Sequence, residues 1–328
     1  MTTQPILYAV EPTETVQAKP PIPTPVEIPT AQAIPASTPH PSGQVSIMAV
    51  GDVMLARTIG ENILSQGIEF PFQFTAHTLH RADITLGNLE CVISESGEPE
   101  NKTYNFRAPI TAVDSLIFGG FDLMTLANNH VLDYGEVALV DTIDLLQSNQ
   151  VAVVGAGKTS LEARQPVFIE ENGLRIAFLA YLDIPMWNYD YLSWIAQPEK
   201  LGINWGYISD IQADVGSAAY KADVVIVLMH FGVEGQAWPS TQQIASARSA
   251  IDAGADLVIG SHTHLLQKVE SYKDGIIVYG LGNFVFDEFS EPENLSAIFM
   301  ARLNKDGVMA HKLIPVRLQD NGVPSIKR

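Results

Sequence analysis

Short apolar runs alternate with amphipathic segments from residue 44 onward, and this alternation is typical of an α/β protein. Nine runs rich in branched aliphatic residues predict strands. These strands span residues 45–50, 84–86, 123–126, 151–154, 175–181, 224–229, 257–259, 276–281 and 296–303. Helical periodicity predicts helices over 136–147 and 241–253, with Gly254 capping the second. Residues 308–317 predict one more strand.

The composition of the chain divides it into three segments. Residues 1–43 hold ten of the 20 prolines and almost no aromatic residues, which predicts an extended tether outside the fold. Residues 44–318 form the predicted folded domain, and residues 319–328 a short polar tail. Within the domain, residues 185–210 are rich in Trp and Tyr, and we interpret them as a lid or insertion.

The sequence shows no apolar run long enough to span a bilayer and no basic segment leading into an apolar one, as a signal peptide would require. Tethers of the kind predicted at the N-terminus often separate an exported domain from an anchor. We therefore expect an extracytoplasmic or cell-envelope-associated protein whose anchor or signal is not visible in this sequence.

The net charge of the chain limits the classes of partner that it can bind. It carries 37 acidic against 19 basic residues, a formal charge of −18, with no block rich in Lys or Arg. Such a surface repels polyanions, so we expect no nucleic-acid partner and no binding to an anionic membrane. Cys91 is the single cysteine, which excludes an intrachain disulfide.

Polar residues follow five of the predicted strands where each strand ends. They are Asp52, Asn88, Glu90, Asn128, Asn129, His130, Asp133, His230, His262 and His264. Open α/β sheets bind ligands at the carboxyl ends of their strands, so we expect these side chains at one site. Each residue alone is also explained by a turn, a cap or a buried histidine. Together, imidazole, amide and carboxylate groups favour one or two divalent ions such as Mn, Fe, Zn or Mg.

His262 and His264 are one residue apart, directly after the predicted strand 257–259. On an extended backbone both side chains would project to the same side. We therefore expect both imidazoles to reach a common metal centre.

Eight motifs in this chain resemble, in their order, those of the CapA-type capsule and poly-γ-glutamate biosynthesis family. The motifs are GDVMLAR (51–57), GNLE (87–90), FRAP (106–109), LANNHVLDYG (126–135), VGAG (154–157), MHFGVE (229–234), GADLVIGSHTH (254–264) and GLGNFVFD (280–287). That family belongs to the calcineurin-like metallophosphoesterase superfamily. The resemblance implies a four-layer sandwich in which two mixed β-sheets are flanked by helices.

The resemblance also implies roles for the strand-end residues. The implied metal ligands are Asp52, Glu90, Asn129, His230, His262 and His264. His130 is the implied proton donor, or the residue that stabilises a developing anion. One departure stands out, because the superfamily usually reads Asp-x-His in its first motif and this chain has Met54 in the place of the histidine. A thioether is a poor ligand for such ions, so occupancy and activity depend on the remaining ligands.

Further residues are candidates for supporting roles. Arg107 is expected to bind a substrate phosphate or carboxylate, although such an arginine is as often part of a surface ion pair. Asp133 and Glu234 are expected to orient His130 and His230. The remaining candidates near the substrate are Asn88, Asn128, Asn283 and Asp287. The four tryptophans form either an aromatic wall for a polymer or sugar, or, more commonly for such residues, buried cover beneath loops. They are Trp187, Trp194, Trp205 and Trp238.

Three functions fit these observations. The first is a metal-dependent hydrolase or transferase of extracellular polymer assembly, acting on an anionic polymer or a phosphoester in contact with a membrane-bound polymer synthase complex. The second is a non-catalytic polymer-binding accessory with a degenerate metal site, which Met54 favours. The third is a phosphoesterase of small molecules, which rests on superfamily analogy alone.

Overall fold

Two β-sheets packed face to face form the centre of the computed structural model, which describes residues 41–186, 189–287 and 289–327. The strands are β1 (Val45–Val53), β2 (Ile84–Leu89), β3 (Val92–Ile93), β4 (Arg107–Ala108), β5 (Leu123–Thr125), β6 (Ala152–Val154), β7 (Ala156–Gly157), β8 (Val167–Glu171), β9 (Leu174–Asp183), β10 (Gly202–Ile203), β11 (Val224–Phe231), β12 (Leu257–Ser261), β13 (Val269–Tyr272), β14 (Gly275–Val278), β15 (Asn283–Val285), β16 (Leu295–Asn304), β17 (Gly307–Leu318) and β18 (Pro324–Ile326). The helices are α1 (Arg57–Gln66), α2 (Ala76–Leu79), α3 (Ala112–Gly119), α4 (Gly135–Ser148), α5 (Ser160–Arg164), α6 (Ile208–Ala219) and α7 (Thr241–Asp252).

The first sheet has eight strands in the order β18-β17-β16-β1-β2-β5-β6, with β15 paired to the end of β1. Its strands β1, β2, β5 and β6 are parallel, and β16 to β18 continue it antiparallel. The second sheet has six strands in the order β13-β14-β12-β11-β9-β8. In this sheet β9, β11, β12 and β14 are parallel, with antiparallel β8 and β13 at its edges.

Alternating side chains of the central strands pack into different layers. Ile47 and Ala49 of β1 face the second sheet and pack with residues such as Ile226 in a core between the sheets. Met48 and Val50 point the other way, into a core shared with the helices of the first half of the chain. The far side of the second sheet packs against α6 and α7. Burial on both faces explains why the strands are continuous apolar runs. The predicted four-layer sandwich is confirmed.

The structure contains elements that the apolar pattern did not predict, among them β8, β13, α1, α3 and α6, and several of the predicted strands end at other residues. Strands β1, β2 and β11 continue up to three residues past their predicted ends, so Asp52, Asn88 and His230 lie within strands. The predicted strand 276–281 instead ends at Val278. The polar residues Asp52, Asn88 and His230 continue their strands although the apolar run has ended. The apolar pattern alone therefore places the ends of these strands too early.

Both predicted helices are confirmed within about one residue at each end, a normal uncertainty for helix boundaries. A capping box begins α7, in which Ser240 and Gln243 exchange side-chain and backbone hydrogen bonds. Gly254 follows its C-terminus at a φ of 112°, and its N–H donates to the carbonyl of Ile251.

Three predicted segments remain, which are the polar tail, the segment 185–210 and the N-terminal tether. The predicted polar tail contains β18, which pairs with β17. In the segment 185–210, β10 pairs with β7, while Trp187 lies outside the described residues. Residues 1–40 of the predicted tether also lie outside them. Within the part of the chain that the structure describes, no helix combines the length and hydrophobicity needed to cross a bilayer.

Candidate metal centre

Asp52 is fully buried near the end of β1, where β15 closely approaches the backbone. A Cβ atom at Gly51 would lie 1.9 Å from the carbonyl oxygen of Gly282, so only glycine fits there. The N–H of Asp52 donates to that same oxygen at 3.1 Å. In register, Asp52 is paired with Asn88 of β2 on one side and Asn283 of β15 on the other. The two sheet neighbours therefore place amides beside a buried carboxylate.

Two asparagines connect the carboxylates of the site. The amide nitrogen of Asn88 lies 2.8 Å from Oδ1 of Asp52 and 3.1 Å from Oε2 of Glu90. Its carbonyl oxygen accepts from the amide of Asn128 at 2.9 Å. Asn128 also accepts from the backbone N–H of His130 at 3.0 Å, so the amide chain reaches the next loop.

His230 completes a buried cluster with these carboxylates. Asp52, Glu90 and His230 each offer one ligand atom, and the three atoms lie within 4.8 Å of one another. This triad can hold a metal ion. Burial, followed by the nearby His262, lowers the pKa of His230 well below its usual value, so its imidazole is neutral and suited to coordination.

The orientation of His230 comes from partners that the sequence did not indicate. Its Nδ1 lies 2.9 Å from Oγ of Ser261, and its Nε2 lies 2.8 Å from Oδ1 of Asn129. Glu234 was expected to orient this ring, but it is exposed on the loop after β11. Ser261 takes that place because it is the register partner of His230 in β12.

His262 and His264 reach the cluster through a different backbone from the extended one expected. Strand β12 ends at Ser261, and the two histidines have φ angles of 87° and 59°, in the left-handed region. Nδ1 of His262 lies 3.1 Å from Nε2 of His230, and Nδ1 of His264 lies 3.6 Å from Oδ2 of Asp52. Strained backbone of this kind is concentrated at functional sites.

His130 forms the opposite wall of the cluster and is held from two directions. Its Nδ1 lies 2.7 Å from Oδ2 of Asp133, and its ring stacks on Phe106 with centroids 4.2 Å apart. Burial lowers the pKa of His130 to about 4, although the carboxylate of Asp133 opposes this shift. The imidazole is therefore neutral at physiological pH, with Nε2 facing Glu90.

Lys102 contacts Asp133 and Asn129, the residues next to His130 in this wall of the cluster. Its buried ammonium donates to Oδ1 of Asp133 at 2.6 Å and to the backbone carbonyl of Asn129. The rings of Tyr191 and Trp194 lie 5.4 and 5.1 Å from the same nitrogen. Burial lowers the pKa of Lys102, while Asp133 favours its charged form.

Oε1 of Glu90 is a buried carboxylate oxygen with no hydrogen-bond partner among the described residues. It lies 3.9 Å from Nε2 of both His130 and His264, too far for a hydrogen bond. Burial and the neighbouring Asp52 raise the pKa of Glu90 well above its usual value. An unpaired oxygen facing two imidazoles suits a cation, and the donor set therefore fits a divalent metal.

Two cavities are lined by residues of the cluster. One, of about 340 Å³, is lined by Asn129 and His262 together with aromatic and apolar residues of the segment 184–191. The other, of about 300 Å³, is lined by His130, His264 and residues after β15. Glu234 lines both cavities. Asn129, His262 and His264 therefore border cavities, whereas Asp52, Glu90 and His230 lie behind them.

Several predicted site residues have other surroundings. Arg107 lines neither of the two cavities; its guanidinium donates to the carbonyl of Gly97 and lies 3.7 Å from the ring centroid of Tyr134. In the short ladder between β3 and β4, Arg107 is paired with Val92. Met54 is fully buried, and its sulfur accepts from the N–H of Ala56 at 3.1 Å.

Other expected contributors lie beside the cluster or in the packing around it. Oδ1 of Asn283 lies 2.8 Å from Nδ1 of His264, and Asp287 lines the second cavity. Trp194 and Trp205 are buried, as packing beneath loops requires, whereas Trp238 is exposed.

The sequence did not assign a role in the site to Arg57, Ser261 or Tyr191. Arg57 lines the second cavity and Tyr191 the first. Arg57 closes the GDVMLAR motif, so its position beside the first-motif aspartate was a usable signal. Ser261 precedes His262 in the GADLVIGSHTH motif, but its contact with His230 depends on strand register. Tyr191 lies outside the eight motifs, and its role depends on loop packing.

The sequence profile of the bacterial capsule synthesis protein family PGA_cap matches residues 46–288 of this chain. The chain belongs to the PGA_cap family. The capsule biosynthesis protein CapA of Bacillus anthracis is 30% identical over 282 residues, covering 84% of this chain and 68% of that protein. The PGA biosynthesis protein CapA of Bacillus subtilis is 27% identical over 287 residues, covering 87% and 74%.

Among solved structures, a hypothetical protein from Thermus thermophilus superposes with a TM-score of 0.52 at 14% identity. The match covers 82% of this chain and 98% of that one, which supports the fold alone. All of the cluster residues, from Asp52 to His264, fall within the part of the chain that matches PGA_cap. The buried cluster is therefore part of the domain that defines the family.

Proposed function

We propose that this protein is a metal-dependent hydrolase or transferase that acts on a phosphoester, amide or related bond during assembly of a capsule polymer. The observation that carries the proposal is Oε1 of Glu90, a buried oxygen without a hydrogen-bond partner among the described residues that faces Nε2 of His130 and His264. Membership of PGA_cap supplies the biological context.

Six residues would hold one or two divalent ions such as Mn, Fe, Zn or Mg. They are Asp52, Glu90, Asn129, His230, His262 and His264. A bound divalent ion in such a site acidifies water and stabilises charge on substrate oxygens. The sulfur of Met54 accepts a hydrogen bond from the backbone N–H of Ala56, so the first motif would contribute only the carboxylate of Asp52.

His130 is the residue that moves the proton. Its Nδ1 is held by Asp133, so the lone pair of Nε2 is directed at the cluster and the second cavity. A neutral imidazole accepts a proton from the attacking group and then returns it to the leaving group. Stacking on Phe106 keeps the ring in this orientation and excludes water from one of its faces.

An anionic polymer is the substrate class that the family context favours. The chain carries a charge of −18, so a polyanion approaches against repulsion unless divalent ions intervene. We therefore propose metal-dependent contact with polymer or phosphoester, at the cell envelope and beside a membrane-bound polymer synthase complex.

Met54 favours a second function, in which the protein binds polymer without turnover. The thioether of Met54 occupies the position where the superfamily usually has a histidine ligand. Its sulfur is buried and accepts a hydrogen bond from Ala56, so the cluster has one metal-binding group fewer. In that case the site is a divalent-cation bridge between two anionic partners.

Turnover measured with Mn²⁺ on p-nitrophenyl phosphate and on γ-linked glutamate oligomers separates the two functions. If the protein is a hydrolase, EDTA should abolish turnover, and turnover should fall at least about 100-fold in His130→Ala and His264→Ala. His77→Ala, an exposed histidine in α2, is the control and should keep full activity. Absence of turnover together with EDTA-sensitive polymer binding would instead establish the binding function.

A further inference from the structure

Arg57 is the first residue of α1 and lines the second cavity beside His130 and His264. Among the described residues that line this cavity, it is the only one with a permanent positive charge. The other charged groups are carboxylates, those of Glu234, Asp287 and Glu293. An anion that enters this cavity therefore meets the guanidinium of Arg57.

The backbone at Arg57 is strained, with a φ of 52°. This left-handed conformation is unfavourable for a residue that carries a Cβ atom. Asp287 contacts both the side chain of Arg57 and the peptide N–H of the next residue, Thr58. Its Oδ2 accepts from the N–H of Thr58 at 3.1 Å, and its Oδ1 lies 3.3 Å from Nη2 of Arg57. Strain that the surroundings enforce in this way points to a functional position.

Phe106 links Arg57 to the proposed proton-transfer residue. The guanidinium carbon of Arg57 lies 5.7 Å from the ring centroid of Phe106, which in turn stacks on His130 at 4.2 Å. The arginine and the histidine therefore have fixed positions relative to one aromatic ring on one cavity wall.

We infer that Arg57 is a substrate-binding residue that holds an oxyanion, either a carboxylate or a phosphate group, next to His130 and His264. A guanidinium has five N–H donors in a planar fork, so it can contact Asp287 and bind a second anion in bidentate fashion. Its side chain is 26% exposed and thus reachable from the cavity. The inference rests on the proposed function and assigns to Arg57 the role that the sequence suggested for Arg107.

Titration of the Mn²⁺-loaded protein with inorganic phosphate and with a γ-linked glutamate oligomer tests this role. Arg57→Gln should weaken binding at least about tenfold, and Arg57→Lys less, because only the bidentate geometry is lost. Arg81→Gln, at an exposed position before β2, should bind as the unmodified protein does. Weakening confined to phosphate identifies a phosphate-binding subsite, and weakening confined to the oligomer a carboxylate-binding one.

Two results overturn the role of Arg57. One is equal affinity of Arg57→Gln and the unmodified protein, and the other is no binding of either anion to the Mn²⁺-loaded protein. Metal content is measured first, because a protein that takes up no Mn²⁺ contradicts the proposed function and not the role of Arg57 alone.

Arginine labelling with phenylglyoxal covers the case in which Arg57→Gln fails to fold. On the unmodified protein, saturating phosphate or oligomer should slow labelling of Arg57, as read by peptide mass spectrometry, at least about tenfold relative to Arg81. Equal labelling rates with and without both anions would contradict the inference.

Discussion

Oε1 of Glu90 lies 3.9 Å from Nε2 of His264, although Glu90 follows a strand of the first sheet and His264 follows a strand of the second. The sandwich brings these two sheet edges together, and the oxygen has no hydrogen-bond partner among the described residues. A buried carboxylate oxygen that no donor satisfies is costly, so a cation at this point would stabilise the fold as well as provide chemistry.

Removing one carboxylate charge should abolish tight metal binding. Glu90→Gln keeps the size of the side chain but replaces a charged oxygen by an amide, so Mn²⁺ affinity is expected to fall at least about 100-fold. Isothermal titration calorimetry gives the affinity. Glu199→Gln, at an exposed turn position, is the matched control and should bind as the unmodified protein does. Equal affinity of both variants would exclude Glu90 as a ligand.

Metal affinity should rise with pH. The pKa of Glu90 is raised, so the folded metal-free protein keeps a proton on this carboxyl above the usual pKa, and a cation must displace it. The pKa values of His230 and His262 are lowered, so these imidazoles are already neutral and do not compete in this way. Titrations from about pH 5 to about pH 8 in two buffers of different ionisation enthalpy should show tighter binding and proton release. A flat profile without proton release would contradict this linkage.

The close approach of β1 and β15 should make Gly51 irreplaceable. In Gly51→Ala the new methyl group would lie 1.9 Å from the carbonyl oxygen of Gly282, so the strands must separate. We expect a loss of about 3 kcal/mol or more in the free energy of unfolding, measured by urea denaturation. The matched control is Gly216→Ala within α6, where the nearest atom to a new Cβ lies at 3.9 Å. That change should stabilise the protein by up to about 1 kcal/mol. Similar effects of the two substitutions would refute the proposed close approach.

The ion pair of Lys102 and Asp133 should contribute strongly to stability because both side chains are buried, at 7% and 0% exposure. Lys102→Met leaves the carboxylate of Asp133 without its cation, at an expected cost of about 3 kcal/mol in the free energy of unfolding. The pair of Lys158 and Asp144 is about half exposed, so Lys158→Met should cost less than about 1 kcal/mol. Equal costs in chemical denaturation would show that burial does not strengthen the Lys102 pair.

Much of the architecture could be predicted because both sheets are built from continuous apolar runs. Parallel strands present their carboxyl ends at one edge, which explains the pairing of Asp52 with Asn88 in the first sheet and the proximity of His230 and His262 in the second. Packing of one sheet on the other then brings the two groups together. The loop geometry could not be predicted in this way. The positive φ of His262 is accompanied by a hydrogen bond from its N–H to Asp52, 210 residues away in the chain.

The positions of Arg107 and Arg57 relative to the cluster could not be predicted from the sequence. Arg107 and Arg57 are both in recognisable motifs, but only Arg57 lines a cavity beside the cluster. Which arginine faces the site is decided by the ladder of β3 with β4 and by the packing of α1 on Asp287. Both are contacts between segments that no local pattern specifies.

Anomalous diffraction from crystals grown with Mn²⁺ would locate a bound metal in the buried cluster. We expect an anomalous peak within coordination distance of Asp52, Glu90 and His230, and a second peak if two ions bind. Mn²⁺-saturated crystals that show no anomalous peak at these three residues, or a peak only elsewhere, would contradict this expectation.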